Sequence, residues 1–137
     1  MKAYLAIKFY EDNRNRDKID RISTLLSNNR IKTICITRDA ENWGEKIFQP
    51  KELMKITFEQ IKSSNFVLID LTEKGVGLGI EAGYAYANGI PIITIAEETS
   101  DISNTLKGIS KKVILYKNIQ QLNKIFKVDN IRRVLDM

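Results

Sequence analysis

A chain of 137 residues, 43% hydrophobic and 28% charged, is long enough for one packed core and short for two, so a single domain over 1–137 is expected. Its net charge of +5 is spread along the sequence, and no apolar run approaches the ~20 residues that span a bilayer, so neither a nucleic-acid polymer nor a membrane is expected as a partner. The absence of histidine excludes Ser-His and Cys-His catalysis and, with a single cysteine, argues against a zinc site; chemistry falls to carboxylates, tyrosines and hydroxyls.

The N-terminal MKAYLAIKFY runs straight into charges, as a first strand does and a signal peptide does not, and Ala3–Tyr10 is taken as strand one. A charged stretch follows in which Asp12 or Asn13 can cap a helix. Ile19, Ile22, Leu25 and Leu26 share one face of that helix, and Ser27-Asn28-Asn29 ends it. Ile31–Thr37 is strand two; its Cys35 is expected to be a buried, inert thiol in a reducing, cytoplasmic compartment. Arg38–Pro50 has no period and is expected to be a loop, with Trp43 either walling a pocket or covering a sheet edge. Pro50 suits a first helical position, and a second helix runs from there to about Ser63.

Phe66–Ile95 then carries a buried strand (FVLIDLT), a glycine-rich turn, a short helix and a second buried strand (IPIITI). Gly89 followed by Pro91 stops the helix. Thr99–Gly108 contains a short helix capped by Ser100 or Asp101, Lys112–Tyr116 is strand five, and Ile119–Phe126 is a final amphipathic helix. Strands alternating with helices predict a doubly wound, flavodoxin-like α/β three-layer sandwich around a five-stranded parallel sheet of order 2-1-3-4-5. Ligands of such sheets bind at the strand carboxyl ends between strands one and three, which would bring Lys8, Phe9 and Tyr10 to the stretch from Asp70 to Glu81.

Gly75-Val76-Gly77-Leu78-Gly79 is neither a P-loop, since no Gly-Lys-Ser/Thr follows, nor the dinucleotide fingerprint. Its glycines are expected to relieve the backbone at the turn and clear space beside Glu81, placed in the helix's first turn. The helix dipole would keep Glu81 ionised, as a nucleophile needs. Asp70, ending strand three, either orients a sugar hydroxyl or caps the turn.

VGLGIEAGYAYANGIP (Val76–Pro91) resembles the signature of the nucleoside 2-deoxyribosyltransferases and of their relatives, the 2′-deoxynucleoside 5′-phosphate N-hydrolases. Tyr4–Phe9 resembles the family's first strand, and Asp101–Gly108 the short helix before its last strand. The resemblance implies that Glu81 attacks the anomeric carbon and forms a glycosyl-enzyme intermediate, resolved by water or a second base. It places Tyr4 beside the nucleophile, and Ser103, with Asn104 next to it, near a neighbouring subunit's 5′-phosphate in a homodimer or larger assembly. The chain departs from the family at three places. Ile7-Lys8-Phe9-Tyr10 replaces a glycine-rich phosphate loop, with Lys8 as a point charge. Gly75 stands where the transferases have an aspartate, and Thr57, with Glu59 nearby, where another aspartate orients the sugar or base. Gly75, Gly77, Gly79, Lys8 and Ser103 are therefore expected to face ribose or phosphate, and the leaving base to take its proton from Glu59 or Asp70 or to depart already protonated.

The functional expectation is cleavage of the N-glycosidic bond of a nucleoside or (deoxy)nucleoside 5′-monophosphate, by hydrolysis ahead of base transfer and with no cofactor or metal. The alternatives are a nucleotide-binding sensor of the same fold without turnover, and a flavodoxin-like partner domain with no small ligand.

Overall fold

The computed structural model describes residues 1–137. The strands are β1 (Lys2–Ala6), β2 (Lys32–Ile34), β3 (Phe66–Asp70), β4 (Ile92–Glu97) and β5 (Lys112–Tyr116). The helices are α1 (Arg16–Asn28), α2 (Ile36–Asp39), α3 (Pro50–Lys62), α4 (Val76–Ala87), α5 (Asn104–Ile109) and α6 (Val128–Leu135). The strands make one parallel sheet of order 2-1-3-4-5. After β2 the chain returns past β1 to build β3, so the connections leave β1 and β3 in opposite directions and open a crevice at their carboxyl ends. No helix is long and apolar enough to cross a membrane.

Side chains alternate across the sheet and feed two cores. Ala3, Leu5, Phe66, Leu68, Ile93 and Ile95 pack on the face covered by α1 and α6. Tyr4, Ala6, Val67, Ile69 and Ile92 pack on the other, beneath α3, α4 and α5. Burial of both faces explains why the inner strands are almost continuously apolar.

Several element ends differ from the sequence reading, each for a local reason. β1 stops at Ala6, not Tyr10, because β2 pairs with it only as far as Tyr4 and β3 as far as Ala6. β2 ends at Ile34, where the Asp39 carboxylate accepts the Cys35 N–H at 2.8 Å and turns the chain into α2, which takes up the end of the expected strand and the first two residues of the expected loop. Asn15, not Asp12 or Asn13, precedes α1, and its amide donates to the Lys8 carbonyl at 2.8 Å. Asp70 ends β3 by accepting the Thr72 N–H at 2.9 Å. Ser103, rather than Ser100 or Asp101, caps α5, accepting the Leu106 N–H at 3.4 Å. Only a 3-10 turn forms over Ile119–Leu122; the amphipathic helix is α6, which buries Ile131 and Val134.

The glycine stretch differs most. The helix begins at Val76, so Gly77 and Gly79 lie within α4 and Glu81 sits in its second turn. Gly75 is extended, at φ −163°, a conformation open to any residue. Between Phe66 and Ile95 a left-handed glycine is needed only at Gly89, at φ 70° just past the Asn88 cap.

Candidate active site

Tyr4 points from β1 toward α4, where its hydroxyl donates to Glu81 Oε1 at 2.9 Å. The two side chains are 77 residues apart in sequence and meet because β1 lies beside β3, from which the chain enters α4. Burial pushes the Glu81 carboxyl up to about 7, only partly offset by the Tyr4 hydrogen bond. This corrects the expectation that the helix dipole holds the carboxylate ionised: Glu81 lies beyond the first turn, and desolvation dominates. Burial, and then the neighbouring Glu81 charge, raise the Tyr4 phenol well above its usual value, so it stays protonated and donates.

The pair faces a cavity of about 380 Å³ at the carboxyl end of β1. Leu53, Met54 and Thr57 of α3 form one wall and Gly75, Gly77 and Glu81 another. Ile36, Thr37 and Glu41 close the β2 side, and Lys8 and Phe9 border the β1 end. Apolar walls with a few convergent polar groups suit a small-molecule site of this size. Space beside Gly77 is open, with no atom within 4 Å of where a Cβ would stand. Thr57 is buried and its hydroxyl donates to the Leu53 carbonyl at 2.9 Å. Lys8 leans away from the cavity, its ammonium 3.6 Å from Glu73.

Not all the expected residues meet here. Asp70 points to the opposite face of the sheet, where its carboxylate accepts from the Tyr116 hydroxyl at 2.8 Å and lies 3.5 Å from the Lys18 ammonium. It lines a separate, smaller cavity of about 230 Å³ with Lys8, Arg14, Lys18, Glu73 and Glu97, whose charges balance. Glu59 is exposed on α3 and Gly79 on α4, and neither lines the Glu81 cavity. Ser103 and Asn104 sit at the start of α5, also outside it. Trp43 packs against the α1-side core with Arg16 over its ring at 4.6 Å, which settles its role as cover. Cys35 is 2% exposed and burial pushes its thiol up to about 12. The residue that sequence reasoning missed is Glu41: it belongs to no motif, and its segment has no period to place it.

No protein-family model and no curated protein matches the chain. Solved structures share its fold. The CMP N-glycosidase BcmB from Clostridium botulinum overlays with a TM-score of 0.68 at 18% identity, covering 94% of this chain and 99% of that one. A 2-deoxyribosyltransferase from Bacillus psychrosaccharolyticus overlays at 0.73 with 15% identity, covering 90% of each chain. BlsM overlays at 0.69 with 18% identity, covering 98% of this chain and 91% of that one. At such identities the overlays establish the fold and leave the chemistry to the residues.

Proposed function

We propose that the chain cleaves the N-glycosidic bond of a nucleoside or nucleoside 5′-monophosphate, with Glu81 as nucleophile. The observation that carries this reading is the Glu81–Tyr4 pair, at 2.9 Å, facing a largely apolar cavity at the switch point of the sheet. The Glu81 carboxylate attacks the anomeric carbon, the carbon–nitrogen bond breaks, and its electron pair leaves with the base. Water then attacks the same carbon and returns the electron pair to Glu81, so configuration is retained. Tyr4 orients the carboxylate and favours its ionised form. The open side of Gly77 gives the sugar room to approach. The named activities of BcmB and the Bacillus transferase, carried by this fold, support the reaction class.

Hydrolysis is preferred over base transfer because the chain is compact and Gly75 supplies no carboxylate where the resemblance places the transferases' base-holding aspartate. A homodimer in which Ser103 of each subunit approaches the other's site belongs to the same reading, as does a cytoplasmic location.

The test is a panel of nucleosides, deoxynucleosides and their 5′-monophosphates, read as free base. Release that falls at least a thousandfold in Glu81→Ala is expected; release that survives the substitution overturns the nucleophile. A sensor without turnover is the second reading, favoured by the engagement of the Thr57 hydroxyl with its own helix. Ligand-dependent thermal stabilisation with no base release would select it.

A further inference from the structure

We infer that Glu41 is the acid that protonates the departing base, a role that rests on the N-glycosidic reading above. A base leaving as an anion departs slowly, and the chain has no histidine to supply a proton. Asp70 lies on the other face of the sheet, and Glu59 is exposed outside the cavity. The titratable groups lining the cavity are Tyr4, Lys8, Cys35, Glu41 and Glu81; α3 contributes none. Tyr4 is committed to Glu81, Lys8 to Glu73, and Cys35 is enclosed.

Glu41 alone has an uncommitted carboxyl: no hydrogen bond or ion pair holds its side chain. Its backbone is fixed, the N–H donating to the Ile36 carbonyl at 3.0 Å and the carbonyl accepting from Gly44 and Lys46 at 3.0 and 2.9 Å. Burial raises its carboxyl above the ordinary value, toward the range useful for proton transfer. Glu41 enters from the β2 side and Glu81 from the β3 side, with β1 between them. A nucleoside lying across β1 therefore directs its sugar to Glu81 and its base to Glu41.

In the first step Glu81 forms the bond to the anomeric carbon, the carbon–nitrogen pair goes to the base, and the Glu41 proton follows it. In the second, Glu41 as carboxylate takes a proton from the attacking water. The productive form carries one proton on the two carboxyls, placed on Glu41. A bound base favours that form by hiding Glu41 from water and offering it an acceptor.

The experiment compares wild type and Glu41→Gln on a nucleoside of the preferred base and on the nicotinamide nucleoside of the same sugar. Nicotinamide is a cation when attached and leaves neutral, with no proton needed. We expect Glu41→Gln to lose about a hundredfold or more in kcat/KM on the first substrate and less than about tenfold on the second. On the first substrate, the wild-type pH profile should be a bell falling above about 7, where the last proton leaves the pair. In Glu41→Gln it should become a rise that levels off. Equal losses on both substrates, or no loss on either, overturn the proposal while leaving the Glu81 reading intact. No release by wild type from any substrate overturns both.

Discussion

The proton of Glu81 bears on stability as well as on the proposed chemistry. The folded carboxyl keeps its proton up to about 7, whereas the ordinary value is 4.5. Between those values the native state binds more protons than the unfolded one, so stability falls as pH rises through that window. Above it the cost is complete, at most about 3.5 kcal/mol at roughly 1.4 kcal/mol per pKa unit. Glu81→Gln should therefore raise the unfolding midpoint at about pH 8 and lose that advantage below about pH 4.5, measured by thermal or urea unfolding. The Glu81–Tyr4 pairing was legible through the resemblance of the glycine-rich motif and of the first strand to a known family. Glu41 was not, because a carboxylate in an aperiodic segment is placed only by tertiary contacts. Asp70 shows the converse: its strand was evident, but the side-chain alternation that turns it away from Glu81 depends on which helix covers which face.

At the level of elements, α4 carries glycine where helices prefer alanine, and neither Gly77 nor Gly79 has a backbone conformation that requires it. A Cβ at either would meet nothing within 4 Å. Alanine should thus stabilise the protein by about 0.5–1 kcal/mol at each position. The two should part in function: Gly77→Ala, on the cavity wall, should lower kcat/KM by about tenfold or more, and Gly79→Ala, outside it, should not. Parallel kinetics and unfolding of the two variants check this. The sequence reading placed α4 too late because the glycines suggested a turn, while tertiary packing of Leu78, Ala82 and Ala85 extends the helix to Val76. Strand ends were overrun for a related reason: Ile7–Tyr10 is apolar enough for a strand, and only the divergence of neighbours at the switch point leaves it unpaired.

Across the whole molecule, the parallel sheet and its order were legible because five short apolar runs, separated by helical stretches, admit few right-handed arrangements. The sheet also divides labour. On the α1 side Asp70, 1% exposed, ties β3 to α1 through Lys18 and to β5 through Tyr116, at 3.5 and 2.8 Å. Removing it leaves Tyr116 only a 3.5 Å contact with Thr72, and Lys18 only Thr72 at 3.5 Å and Glu97 at 3.9 Å, so Asp70→Ala should cost about 2–3 kcal/mol in chemical denaturation. Base release at saturating substrate should change by less than about threefold, since Glu81 lies across the sheet. The missing histidines give the buried Glu81–Tyr4 pair one more use. With no imidazole to titrate near neutral pH, a labelled glutamate carboxyl carbon that shifts around pH 7 would report the Glu81 titration, and its displacement by a bound nucleoside, free of any neighbouring histidine's charge change.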